Sequence, residues 1–119
     1  MLTANRALVI EEEALLALDI EDILTTHGVA EVRYYRSVAE ATRHLDELTT
    51  FRLAVVDARL GADEVVAFTE QIAKAGVGIV VMSADHTAAD GFPYAVPLGK
   101  PFDAASLLAA CEAATARAG

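Results

Sequence analysis

The sequence is poor in several residue types: it has one cysteine, three prolines, two lysines and no tryptophan in 119 residues. The single thiol, Cys111, cannot form an internal disulfide, so nothing points to an oxidising compartment. Apolar runs fall well short of the roughly 18–20 residues that a membrane-spanning helix needs, and the N-terminus lacks the apolar core of a signal peptide. We therefore expect a cytoplasmic protein.

Basic residues are also scarce, because nine lysines and arginines face 18 aspartates and glutamates, giving a net charge of −9. Such a chain lacks the basic face that nucleic-acid phosphates or an anionic membrane surface would require. What it has in plenty is apolar residues, at 55%. We expect residues 1–119 to form a single globular domain that binds neither nucleic acid nor membrane.

Short apolar runs alternate with segments of helical periodicity. The predicted strands are 6–10, 31–36, 53–57, 76–83 and 94–99, and the predicted helices are 13–27, 37–48, 63–75 and 103–117. Polar alternation in the second strand and Pro97 in the fifth are typical of edge strands. The segment 84–94 holds at most one or two helical turns. This order predicts an α/β fold, a five-stranded parallel sheet covered by helices on both faces.

The predicted strands end in polar residues. The carboxyl ends of parallel strands lie at one edge of the sheet, where ligands gather in α/β proteins. We expect this edge to bring together Glu11, Glu12, Asp57, Ser83 and Lys100. Taken alone, Asp57 could equally be a turn residue that ends its strand.

Carboxylates brought this close repel one another unless a cation lies between them. Magnesium suits such oxygen ligands better than zinc, since no histidine and cysteine set has zinc-ligand spacing. Lys100, between apolar residues, should contact a carboxylate or phosphoryl oxygen, although it could instead extend to solvent. Ser83 could donate to an oxygen bound at Asp57. Together these groups indicate a phosphoryl-transfer site with Asp57 as the nucleophile.

Over nearly its whole length the chain resembles the receiver domain of bacterial two-component response regulators, the CheY-like domains. The resemblance rests on four motifs at the predicted strand ends: Glu11-Glu12, Asp57-Ala58-Arg59-Leu60-Gly61, Ser83-Ala84 and Lys100-Pro101-Phe102. It implies a doubly wound, flavodoxin-like sheet of order 2-1-3-4-5.

The resemblance also implies roles for individual residues. Asp57 would be the phosphoacceptor, Ser83 the switch hydroxyl and Lys100 the phosphate-binding lysine. Magnesium would be held by Glu11, Glu12, Asp57 and the backbone carbonyl of Arg59. The Lys100–Pro101 bond would be cis, as is common in the family.

The sequence departs from the family at three places. Glu12 stands where an aspartate usually ligates the metal, and Pro97 replaces the switch aromatic. Only sixteen residues separate Ser83 from Lys100, so we expect the helix between the fourth and fifth strands to be short or missing. Output could then depend on ordering of the segment 85–93. Arg59 and Asp85, of opposite charge, could pair at the mouth of the site, at little gain in energy.

We consider three candidate functions. The first is a phosphoacceptor response regulator, which takes a phosphoryl group from a histidine kinase or a histidine phosphotransfer protein and signals to a protein partner. Its only catalysis would be its own phosphorylation and dephosphorylation. The alternative is a degenerate receiver, an interaction module independent of phosphorylation. A hydrolase would want a second acid two residues after Asp57 or a nucleophile elbow, and the sequence has neither. A stand-alone regulator, an excised domain and a homodimer all stay open.

Overall fold

The computed structural model describes residues 2, 4–59, 62–84, 92 and 94–118. The strands are β1 (Arg6–Ile10), β2 (Glu31–Tyr35), β3 (Leu53–Asp57), β4 (Gly78–Ser83) and β5 (Val96–Gly99). The helices are α1 (Ala14–Thr26), α2 (Val38–Thr42), α3 (Leu45–Leu48), α4 (Ala62–Lys74) and α5 (Ala104–Ala118). No helix in this part of the chain is long and apolar enough to cross a bilayer.

All five strands run parallel in one sheet of order β2-β1-β3-β4-β5, which confirms the predicted fold. The central strand, β3, is buried along its whole length. Its middle residue, Val55, lies between Val9 of β1 and Val80 of β4. The two strands with edge-type sequences are the edge strands, and Pro97 is tolerated in β5 because an edge strand has an unpaired side.

Alternate residues of each strand point to opposite faces, and each face packs against helices. One core layer joins the sheet to α1 and α5 and includes Val9, Val55, Ile20, Leu107 and Cys111. The other joins it to α2, α3 and α4 and includes Leu8, Val56, Leu48, Phe68 and Ile72. Burial raises the pKa of the Cys111 thiol to about 12, so it behaves as a small apolar residue.

The prediction of one continuous helix from Ser37 to Leu48 is wrong. Ser37 does cap a helix as predicted, since its hydroxyl accepts a hydrogen bond from the Glu40 amide at 3.2 Å. That helix ends after one turn, because the amides of Arg43 and His44 bond to carbonyls three residues back, in tighter 3₁₀ geometry. The His44 ring stacks on Tyr35 with centroids 5.5 Å apart, and α3 begins after it.

The other boundaries agree with the prediction to within two residues, the largest differences including the start of β5, which is at Val96 and not at residue 94. The expected short or missing helix between β4 and β5 concerns residues 85–91 and 93, which lie outside the described residues. The Tyr94 hydroxyl, just before β5, lies 2.6 Å from the Thr69 hydroxyl of α4. This hydrogen bond links the start of β5 to α4.

Gly78 at the start of β4 marks a close approach between the sheet and α5. A Cβ at this position would lie 2.5 Å from the carbonyl oxygen of Ala114. We expect Gly78→Ala to lower the free energy of unfolding by about 1–3 kcal/mol, because backbone atoms must move to relieve the overlap. Urea titration measures it.

Gly99→Ala is the matched control, since a methyl group added there would have nothing within 4 Å and the φ of Gly99 is not in the left-handed region. This variant should match the wild type to within about 0.5 kcal/mol. Equal stability of the two variants would contradict the close packing of α5 on β4.

Candidate functional site at the carboxyl edge of the sheet

The carboxyl ends of four strands meet at one edge of the sheet and carry most of the predicted site. Glu11 follows β1, Asp57 ends β3, Ser83 ends β4 and Lys100 follows β5. The Lys100 amide donates to the Ser83 carbonyl at 2.9 Å, which extends the β4–β5 ladder and fixes the lysine at this edge. The parallel topology therefore places these residues together, as predicted.

Two carboxylates share one lysine. The Lys100 ammonium donates to Glu11 Oε2 at 2.9 Å and to Asp57 Oδ2 at 3.0 Å. Both acidic residues are 0% exposed, and the lysine side chain is 15% exposed. Because a buried carboxylate is costly without a partner, the lysine is what makes this burial of charge possible. Lys100 points into the site and not to solvent.

Asp57 has a second cationic partner, Arg59. The Arg59 amide donates to Asp57 Oδ1 at 2.9 Å, while Nε and Nη2 donate to Oδ2 at 3.2 and 3.1 Å. Nη2 also lies 3.9 Å from Glu11 Oε1. Burial alone would raise the pKa of Asp57, but the hydrogen bonds from Arg59 and Lys100 outweigh it and hold the pKa below its usual range. Asp57 is ionised at neutral pH.

Sequence reasoning missed this role of the Arg59 side chain. It assigned to Arg59 a backbone carbonyl and a pairing with Asp85, which lies outside the described residues. The signal that could have found it is the spacing, because an aspartate that ends a strand commonly accepts from the amide two residues on. That turn folds the Arg59 side chain back over the carboxylate.

The two adjacent acids after β1 differ in their environment. Glu11 is buried and its Oε1 accepts from the Glu13 amide at 3.1 Å, just before α1 begins. Glu12 is exposed. Within the described residues, no group of three or more His, Cys, Asp or Glu side chains is placed to hold a metal ion. The acids that meet at Lys100 are Glu11 and Asp57.

This donor set is nevertheless of the kind that magnesium uses. Magnesium is commonly held by one or two carboxylates, with waters and substrate oxygens filling the other positions. Glu11 and Asp57 supply two buried carboxylates that contact a common cation. The residues present therefore fit a magnesium ion, with the carbonyl of Arg59 and the carboxylate of Glu12 as the further predicted ligands.

A pocket of about 360 Å³ opens beside the two cations. It is lined by Glu13, Leu16, Arg59, Ala84, Lys100, Pro101 and Phe102. The Lys100–Pro101 peptide bond is cis, as the family resemblance implies. Ser83 is buried at the end of β4, directly beside Gly99 in the sheet register. The pocket thus borders the charged edge on the side of α1.

Several similar solved structures are response regulator receiver domains, whereas no protein-family model and no curated protein matches the sequence. A response regulator receiver protein from Sinorhizobium medicae is 26% identical, with a TM-score of 0.81 and 98% of both chains covered. A receiver domain protein from Bacillus halodurans is 20% identical, with a TM-score of 0.75 and 96% of both chains covered. A beryllofluoride-activated receiver domain dimer, NtrC4, is 23% identical, with a TM-score of 0.76 and 97% and 99% coverage. The chain has the fold of a CheY-like receiver domain.

Replacing Lys100 tests how much the buried acid pair depends on it. We expect Lys100→Met to lower the free energy of unfolding at pH 7 by about 3 kcal/mol, the low end for breaking a buried ion pair, because Arg59 still contacts Asp57. Lys74→Met removes the other lysine, which is exposed at the end of α4, and should have almost no effect. Urea unfolding of the three proteins gives the comparison.

The Lys100→Met deficit should also depend on pH. The folded-state pKa of Asp57 lies below its unfolded value of about 3.9, so its ion pairs stabilise the protein above that pH. This stabilisation is lost as the pH falls through the folded-state pKa. The difference between wild type and variant should therefore be largest near neutral pH and shrink below about pH 4. A pH-independent difference would contradict an electrostatic role for Lys100.

Proposed function

We propose that this protein is a phosphoacceptor response regulator in which Asp57 takes a phosphoryl group from a phosphohistidine. The receiver fold supports a response-regulator role. The observation that carries the proposal is the Asp57 carboxylate, buried at the end of the central strand and kept ionised by Lys100 and Arg59. The donor would be a histidine kinase or a histidine phosphotransfer protein.

Phosphoryl transfer in this site needs no separate general base. An Asp57 carboxylate oxygen attacks the phosphorus, the phosphorus–nitrogen bond breaks, and its electron pair leaves with the imidazole of the donor. The low pKa of Asp57 keeps the attacking oxygen unprotonated. A magnesium ion bound by Glu11, Glu12, Asp57 and the Arg59 carbonyl would neutralise negative charge on the phosphoryl oxygens.

In the proposed reaction, Lys100 holds the Asp57 carboxylate and also binds the phosphoryl group. Its ammonium contacts Asp57 at 3.0 Å and would donate to the incoming phosphoryl oxygens. Glu11, bound to the same ammonium at 2.9 Å, orients it. Lys100 is a phosphate-binding residue and Glu11 a positioning residue for it.

The signal would pass from Asp57 to the β4–β5 side of the domain. Ser83 would act as the switch hydroxyl, donating to a phosphoryl oxygen on Asp57. Its carbonyl already accepts from the Lys100 amide, so movement at Ser83 is coupled to the start of the cis Lys100–Pro101 turn. A cytoplasmic protein partner would read this change, and the proposed catalysis is limited to self-phosphorylation and dephosphorylation. Ordering of the segment 85–93 stays a prediction, since residues 85–91 and 93 lie outside the described residues.

One observation favours the alternative, a degenerate receiver that binds partners without phosphorylation. The buried carboxylates of Glu11 and Asp57 are already matched in charge by Lys100 and Arg59. A site balanced in this way can persist without a metal ion. Pro97 in place of the switch aromatic points in the same direction.

Intact-mass measurement after incubation with acetyl phosphate and Mg²⁺ tests the proposal. We expect one added phosphoryl group on the wild type and on Asp46→Asn, which changes an exposed aspartate of α3. Asp57→Asn and the metal-free wild type should gain none, because the nucleophile or the neutralising charge is missing. A folded wild type without any adduct would favour the interaction module, and an adduct on Asp57→Asn would refute Asp57 as the acceptor.

Beryllofluoride offers an independent readout. A similar receiver domain was solved in a beryllofluoride-activated form. Beryllofluoride is a tetrahedral phosphate analogue, so it should shift amide resonances of Ala58, Ser83 and Lys100 in the wild type and leave those of Asp57→Asn unchanged. Shifts of equal size in both proteins would contradict binding at Asp57.

A further inference from the structure

We propose that the Arg59 guanidinium is a built-in counter-ion that a divalent metal must displace before the site can be phosphorylated. This inference rests on the proposed function, since it concerns how the same site is regulated. It assigns to the Arg59 side chain a role that opposes metal binding, while its carbonyl is a predicted ligand. Arg59 would thereby set the magnesium concentration at which the protein becomes active.

The contacts show that Arg59 and a metal ion would compete for the same oxygens. Nη2 lies 3.1 Å from Asp57 Oδ2 and 3.9 Å from Glu11 Oε1. These two carboxylates are the buried acids that meet at the site. The guanidinium contacts both carboxylates, so it occupies the position on that side where a second cation would bind them.

Charge balance makes simultaneous occupancy unfavourable. Glu11 and Asp57 contribute two negative charges, and Lys100 and Arg59 contribute two positive charges. Adding a divalent ion while both side chains stay would leave an excess of two positive charges over these two buried acids, and of one even with Glu12 as a further ligand. One of the two cations therefore has to move.

Arg59 is the cation that can move. Its side chain is 55% exposed, whereas that of Lys100 is 15% exposed. Lys100 is also fixed through its amide to the Ser83 carbonyl. When the guanidinium leaves, the Arg59 amide can still donate to Asp57 Oδ1, so the carboxylate keeps its orientation.

The released guanidinium has a place to go. Arg59 and the exposed carboxylate of Glu13 line the same pocket of about 360 Å³. If the guanidinium moved toward Glu13, it would lose its contacts with the buried Glu11 and Asp57 and gain one with a solvent-exposed carboxylate. The metal would shift the Arg59 side chain from its position on Asp57 and Glu11 toward the position near Glu13. A ligand shifts such an equilibrium when it binds one of the two conformations more tightly than the other.

Isothermal titration calorimetry with magnesium chloride on the whole chain tests this inference. We expect Arg59→Gln to bind Mg²⁺ about five- to fiftyfold more tightly than the wild type, the effect of removing a unit charge roughly 4 Å away in a solvent-exposed setting. Arg52→Gln is the matched control, because Arg52 is an exposed arginine at the opposite end of β3. It makes the same change in net charge and should shift the affinity less than about twofold.

A second variant and a second measurement guard against a folding defect. Arg59→Lys keeps the charge but lacks the planar fork that spans both carboxylates, so its affinity should fall between those of wild type and Arg59→Gln. Metal-free Arg59→Gln should unfold at a lower temperature than the wild type. Added magnesium should raise its midpoint by more than that of the wild type, as tighter binding requires.

The outcomes separate this inference from the proposed function. Equal magnesium affinity of wild type and Arg59→Gln overturns the inference, and the response-regulator function stands if acetyl phosphate still modifies Asp57. Tighter binding by Arg59→Gln without any adduct on any variant supports the inference and refutes the proposed function. Magnesium binding by none of the proteins overturns the inference, because no metal then displaces Arg59.

Discussion

The bond between one lysine and two buried carboxylates is the interaction on which the rest of this site depends. Glu11 and Asp57 come from neighbouring strands, and Lys100 follows a strand two positions further along the sheet. The three charges meet only if β1, β3, β4 and β5 lie in register. The sheet therefore holds the site together. A different strand register would be destabilised, because it would bury the two acids without the lysine. The contacts of Lys100 with Glu11 and Asp57 thus favour the native strand register and also form the candidate site.

Burial on both faces of the sheet extends to the carboxyl edge at Asp57. Helices cover β3 on each side, and all five of its residues, including Asp57, are buried. A buried carboxylate in a low-dielectric setting interacts strongly with nearby charges, which in the proposed function would help to stabilise a transferred phosphoryl group. It would be destabilising in the same place without Lys100 and Arg59. The buried carboxylates at this edge therefore require cationic partners.

The fold and the main members of the site were predictable because they follow from strong patterns. Apolar runs that end in acids, with parallel connections, suffice to place Glu11, Asp57, Ser83 and Lys100 at one edge. The break between α2 and α3 was not predictable, because Val38, Ala41, Leu45 and Leu48 keep helical spacing across it. Nor does a sequence say which of two adjacent acids turns inward once a strand has ended; here Glu11 does and Glu12 is exposed. The fold of Arg59 over Asp57 depends on a side-chain rotamer, which periodicity does not encode.

The exposure of Arg59 bears on the choice between a cycling receiver and a degenerate one. A site that had given up phosphorylation would gain most from a cation as enclosed as Lys100, since an enclosed ion pair is screened least by water. Arg59 instead holds Asp57 with a guanidinium that is more than half exposed. Such a cation balances the buried acids in this structure, and in the proposed displacement it would leave at small cost when a divalent ion binds. Under the proposed displacement, Arg59 would balance the charge of the site without a metal ion and would move away when one binds, which favours the cycling receiver over the degenerate one.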